Sequence, residues 1–227
     1  LTFSKILVDE QTNRSVLSCP EIETMTVKAP QETRNRILNA AFEEFYRQGY
    51  QGGTLNHIIE QACVTKGALF HHFKGKKELG YAVVDEICAG EVQRSWVDPL
   101  TDSSDPVSDL KEIIGSGMRE KLSENSEALC QGCPLNNFAQ EMSPLDEGFR
   151  TRIEAVYKAW RSAIEKAFLA GLKGGTVRKG VSARKTAAFI VAALAGIIGT
   201  GKNAQSVELV MDAGEALMEY LDGLRAA

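Results

Sequence analysis

Apolar residues return every three or four positions along most of this chain and alternate for no useful length. In "ETRNRILNAAFEEFYRQGY", Ile37, Ala41 and Phe45 step by four with Leu38 and Phe42 alongside, which gives one apolar helix face. Gly49 follows where a left-handed cap would end that helix. Thr54 can cap a short helix, "LNHIIEQA", because its hydroxyl can accept from an otherwise unpaired backbone amide. After the tight connection "CVT", Thr65 can cap a second short helix, "KGALFHHF", with Leu69 and Phe73 on its inner side. Leu79, Val83 and Ile87 begin a longer helix beyond "KGK". Helix, short helix, three-residue turn, short helix is the helix-turn-helix arrangement.

Helical spacing continues to the end of the chain. "DPLTDSSDP" is a turn-rich break, residues 107 to 124 form a helix, and "NSEALCQGCPLNNF" reads as a loop entering a short helix. A long helix runs from about 146 to 170, with Ile153, Val156, Tyr157, Trp160, Ile164 and Ala167 on one face, and two more run from about 182 to 201 and 205 to 224. With no segment patterned like a strand, the fold class is all-α. The division predicted is a peripheral extension over 1–30, open to disorder, then a DNA-binding unit over 31–78 and a second helical domain over 79–227. Met25 makes a natural start, so residues 1–24 are expected to lie upstream of the folded protein.

Composition changes this picture little, and charge distribution changes it more. An apolar fraction of 44% and a charged fraction of 25% suit a globular chain of 227 residues. The most apolar stretch, Thr186 to Gly201, is short and rich in small residues, so it reads as a buried helix and no membrane partner is expected. The odd cysteine count of five argues against a disulfide scaffold and for a reducing cytoplasm. Net charge is −4, yet Lys28 to Glu78 carries eight basic against five acidic residues, and residues 79 to 227 carry sixteen against twenty-one. A small basic unit therefore precedes a larger acidic one.

The stretch "RNRILNAAFEEFYRQGYQGGTLNHIIEQACVTKGALFHHFKGKKEL" resembles the tetracycline-repressor (TetR/AcrR) family of one-component regulators. "GCPLNNFAQEMSPLDEGFR", Gly132 to Arg150, is similar to a motif of one ligand-responsive subgroup. The resemblance implies a homodimeric DNA-binding repressor with a small-molecule effector in its C-terminal domain, and it requires no cofactor. Two positions depart from the pattern: Cys63 stands where a turn glycine is usual, and His57 where an acidic residue is usual.

The short helix suits duplex DNA on its own chemistry. Thr65 offers a hydroxyl, and Gly67 and Ala68 have almost no side chain, so the backbone can approach the bases closely. Lys66 can donate to guanine, and the Phe70 ring can pack on a thymine methyl. The family resemblance makes Lys66, Gly67 and Phe70 base readers and matches Thr54, His71 and Lys76 to phosphate contacts, with His72 half structural. Adjacent histidines on a helix point about 100° apart, so no metal site is expected there. A lysine cluster is most often a solvated face; its place around a capped helix within a full helix-turn-helix raises this one above that.

The second domain is expected to hold the dimer contact and the effector. Ala188, Ala192, Gly196 and Thr200 form a small-residue stripe, and Val210, Leu217, Leu221 and Leu224 an apolar face on the last helix. Ordinary packing within one chain competes with a two-fold interface there; Ala192, Gly196, Val210, Leu217 and Leu221 are the interface residues expected. Trp96, Met118, Phe138, Met142, Tyr157 and Trp160 are the candidates to line an effector pocket, although aromatic and Met residues at helical spacing are mostly core. Cys130 and Cys133 form an isolated "CQGC" pair. Its alternatives to two ordinary thiols are an oxidant or electrophile sensor at Cys133 and, less favoured, a small thiol redox enzyme.

Overall fold

The computed structural model describes residues 30–121 and 126–226, with side chains from 119 to 125 excluded; the expectation for 1–30 lies almost wholly outside these residues. α1 (Pro30–Gly52) buries Ile37, Leu38, Ala41, Phe42 and Phe45, the face its spacing implies. Helical geometry breaks at Gly49, with φ +75° and ψ 162°, where a side chain would be strained. α2 (Leu55–Gln61) and α3 (Lys66–His72) follow, and their inner residues Ile58 and Leu69 are fully buried against α1.

α4 (Lys76–Ala82) continues without a cap into a π-helical segment, Val83–Cys88. α5 (Ala89–Val92), a second π segment at Gln93–Val97 and a 3-10 turn at Asp98–Leu100 complete one composite rod. Each π segment rotates the following side chains relative to a regular helix. The rod therefore packs on α1 near its start and on α9 along most of its length.

The rest is α6 (Pro106–Lys121), α7 (Glu127–Gln131), α8 (Pro134–Met142), α9 (Glu147–Gly174), α10 (Ala183–Ala204) and α11 (Val207–Asp222). The stretch read as a loop before α8 differs from expectation. Ser126 accepts from the Leu129 amide at 3.2 Å and opens α7, and Gly132 at φ +75° makes the sharp turn into α8. α9 starts where Asp146 accepts from the Phe149 amide at 3.0 Å. Among the described residues the single β-type pairing is an antiparallel bridge between Val177 and Arg225, so the fold is all-α, with an N-terminal helix-turn-helix unit and a C-terminal helical domain.

α10 corrects one expectation. It is not buried all round: Thr186, Ala187, Ile190 and Val191 face inward, while Ala188, Phe189, Ala192 and Gly196 stand exposed. By length and composition it would pass for a membrane-crossing helix, yet its inward face packs on α9 and α11.

Candidate nucleic-acid interface

The turn between α2 and α3 is held from several sides. Thr54 Oγ1 accepts from the His57 amide at 3.2 Å and Thr65 Oγ1 from the Ala68 amide at 3.1 Å. Each cap is worth about 1 kcal/mol. Cys63 adopts φ +47°, a left-handed conformation that costs a residue with a Cβ about 1–2 kcal/mol. Cys63 thus takes a positive φ of the kind a glycine adopts most easily. Arg36 of α1 braces this turn by donating to the carbonyls of Ala62 and of Cys63, the latter at 2.7 Å. Glu44, buried on α1, accepts from the Thr54 amide at 2.9 Å and pairs with His57 Nδ1. His57 therefore ties α2 to α1.

α3 leaves a compact polar surface outside. Thr65, Lys66, Gly67, Phe70 and His71 are exposed, and Ala68 and His72 are half-buried. Phe70 is 43% exposed, an apolar ring in water on a helix otherwise bearing polar groups. A Cβ built at Gly67 would meet nothing nearer than Thr65 Oγ1 at 3.9 Å, so the backbone there is bare. The rings of His71 and His72 meet edge-on at 5.0 Å. Desolvation, then the neighbouring His71 and Arg34, lower the His72 pKa from its ordinary value. Lys76 also has an internal role: its ammonium donates to the Gln51 carbonyl at 3.0 Å and lies 4.9 Å over the Tyr50 ring.

The end of α1 joins this unit to the second domain. Glu141 of α8 accepts from the amides of Tyr50 and Gln51 at 2.8 and 2.7 Å, two donors that the break at Gly49 turns outward. Tyr46 donates to the Gly132 carbonyl at 2.7 Å, and Arg47 pairs with Glu127 at 2.9 Å. The Tyr50 ring packs against Phe45, Phe138 and Phe149, and Gly80 makes room for it: a Cβ there would lie 2.6 Å from Tyr50. Arg36, Glu44 and Glu141 were not singled out from the sequence. Only Glu44 left a signal, as a carboxylate set among the apolar positions of α1.

The six residues expected around an effector separate into three places. Phe138 is buried in the aromatic junction beneath Tyr50, Met142 is buried one turn further along α8, and Met118 packs on Gly214 of α11. Trp96, Tyr157 and Trp160 come together: the two indoles are 4.7 Å apart, and Tyr157 lies nearly parallel to Trp160 at 6.4 Å. Trp160 is buried and its Nε1 has no hydrogen-bond partner; an unmet buried donor of this kind costs about 1–3 kcal/mol. Tyr157 donates to Asn136 Oδ1 at 3.4 Å, and burial pushes its hydroxyl well above the ordinary tyrosine range. Cys88 is a fully buried thiol that desolvation keeps protonated, while Cys130 and Cys133 are partly buried and Cys133 occupies the N-cap of α8.

The expected dimer residues divide as well. Ala192 and Gly196 are exposed, with Ala188 and Thr200 completing the same stripe. Val210, Leu217 and Leu221 are not available to a partner: they are at most 4% exposed and form the inward face of α11. Helical spacing locates an apolar face without saying whether its cover comes from the same chain, and here it does. The outer surface of α11 instead carries Leu209, Ala216 and Tyr220, and Tyr220 contacts Phe189 of α10 at 4.7 Å.

A three-helix unit presenting a capped helix of exposed basic, small and aromatic residues, fastened to a larger helical domain, defines a helix-turn-helix regulator. Comparison with known proteins agrees. Residues 37–83 match the family of bacterial regulatory proteins of the tetR type, and residues 118–217 match the tetracyclin repressor-like C-terminal domain. The HTH-type transcriptional regulator LmrA of Bacillus subtilis is 31% identical over 137 residues, 60% of this chain and 70% of that protein. The HTH-type transcriptional repressor DhaR of a Mycobacterium species is 27% identical over 165 residues, 73% of this chain and 80% of that protein. A TetR transcriptional regulator from Chloroflexus aurantiacus superposes with a TM-score of 0.75 at 26% identity, covering 87% of this chain and 98% of that one. The chain belongs to the TetR family of transcriptional regulators and is not an enzyme.

Proposed function

We propose that this chain is a homodimeric repressor that grips operator DNA through α3 and is released when a small molecule binds its C-terminal domain. The observation that carries the DNA reading is the exposed surface of α3. Lys66 and Phe70 flank the bare backbone at Gly67, a combination of donor, apolar contact and close approach that suits base edges in a major groove. Thr54, Thr65, Ala68 and His71 supply the surrounding contacts, and Lys76 gives one of its three N–H donors to the Gln51 carbonyl and keeps the others for phosphate. A DNA partner puts the protein in the cytoplasm.

A single helix-turn-helix covers few base pairs, so two must act together on spaced half-sites. The exposed stripe of α10 and the outer face of α11 are the surfaces that a second copy would cover. Effector binding would then alter the separation of two α3 helices, and the coupling must be reciprocal: operator DNA weakens effector binding by the same factor. Thiol sensing at Cys133 is the less favoured reading, because the aromatic cluster offers a ligand a place to bind without covalent chemistry.

Titrating promoter DNA from upstream of the gene against salt tests the DNA reading. Specific binding should fall steeply as salt rises. Binding indifferent to both sequence and salt would remove the proposal.

A further inference from the structure

The two tryptophans are the only ones in the chain, and their rings meet at 4.7 Å, tilted by 43°, between the composite rod and α9. Alongside them, between the same two elements, runs a groove of about 210 Å³. Its floor is apolar, built from Ala89, Val92, Val97, Ala155, Val156 and Ala159. None of the three cluster rings lines the groove as it stands, but Val156, which does, precedes Trp160 by one turn of α9, and Val92 and Val97 flank Trp96 on the rod, so groove and cluster share the same two walls. At one end Arg152 donates to Asp85 at 2.9 Å, so these charges satisfy each other and leave no net charge to attract an ionic ligand. The donor in want of an acceptor is the indole N–H of Trp160.

We propose that the groove and the Trp96–Tyr157–Trp160 cluster form one effector site, whose ligand is a neutral, ring-sized molecule carrying a hydrogen-bond acceptor received by Trp160 Nε1. This rests on the reading that the C-terminal domain takes an effector. Size follows from volume, since a cavity of roughly 150 Å³ holds a benzene ring. Neutrality follows from the apolar floor and the closed Arg152–Asp85 pair. The acceptor follows from the orphaned donor, because a ligand without one leaves that group unmet. The cluster is packed ring on ring, so the tryptophans must part slightly as the ligand seats.

Because both tryptophans lie in the site, their fluorescence reports binding directly. The probes are acetophenone, its acceptor-free analogue cumene, and the anion benzoate, each titrated against the full-length protein. Acetophenone should give a saturable change and bind roughly tenfold or more tightly than cumene, with benzoate weakest. Trp160→Phe, read through Trp96, should erase the difference, so that acetophenone binds no more tightly than cumene in the same variant. Equal binding of acetophenone and cumene by the natural protein overturns the proposal, even if the variant fails to fold. No saturable binding, benzoate binding tightest, or a Trp160→Phe variant that keeps the preference overturns it as well. Release of promoter DNA is measured separately. Binding without release defeats the effector reading and leaves the site, whereas release by a compound that does not bind at the tryptophans does the reverse.

Discussion

α3 and α10 are both helices with an uncovered face, and they leave opposite chemistry outside. α3 shows lysine, threonine, histidine and bare backbone, with one aromatic ring. α10 shows alanine, glycine and phenylalanine over several turns. A polar face is at rest in water, which suits the polyanion proposed for it, whereas an apolar face of that length raises the free energy of a lone chain, which suits the second copy proposed to cover it. The fold is the same kind of element in both places; the uncovered residues decide the partner.

The largest effect should come from spoiling the apolar side of this comparison. Gly196→Glu or Ala192→Glu places charge in the stripe, and light scattering should then find monomers at micromolar concentration. Operator affinity should drop roughly a hundred- to ten-thousandfold, since linkage of two half-site contacts is lost. A dimer that persists would show that the contact lies elsewhere. On the polar side, Lys66→Ala or Phe70→Ala should cost about 1–3 kcal/mol of specific binding, read by anisotropy against a scrambled site. Unchanged discrimination would refute the base-reading assignment.

Smaller effects sharpen the comparison within the folded chain. Glu141→Gln replaces one of the two accepting oxygens by an NH2 group, so one hydrogen bond to α1 is lost and the other loses its charge; stability should fall by about 1–3 kcal/mol in urea unfolding, while the α3 surface is left untouched. Thr65→Ala should cost about 1 kcal/mol through the lost cap, and Thr65→Ser should recover most of it. The slightest is a pH effect. Lys77, Tyr81 and the Phe149 amide hold the Asp146 carboxyl well below its ordinary pKa of 3.8. A depressed carboxyl contributes stability above its unfolded pKa and loses it as pH falls below that value. Acid unfolding of the natural protein should therefore have a component below pH 4 that Asp146→Asn removes.

Much of the DNA-binding half was legible in the sequence because its determinants are local. Thr54 and Thr65 cap as expected, and Gly49 and Cys63 both take a positive φ. The second half was less legible because its determinants are distant. Val210, Leu217 and Leu221 have the spacing of any buried face, and nothing local says that the cover is α6 and α10 of the same chain. Trp96 and Trp160 lie sixty-four residues apart, and only packing brings their rings together. Glu141 and the Tyr50 amide stand ninety-one positions apart in sequence, and no periodicity points to such a bond.

The fastening of α8 to α1 has a mechanical consequence. A rod pinned at one point can swivel and leave its neighbour still. The α8 region is pinned at two, where Gly132 just ahead of it receives the Tyr46 hydroxyl and Glu141 near its end holds the Tyr50 and Gln51 amides. Two pins pass on torque as well as thrust. While both bonds hold, α8 cannot tilt without turning the end of α1, and α1 carries the base on which α3 stands.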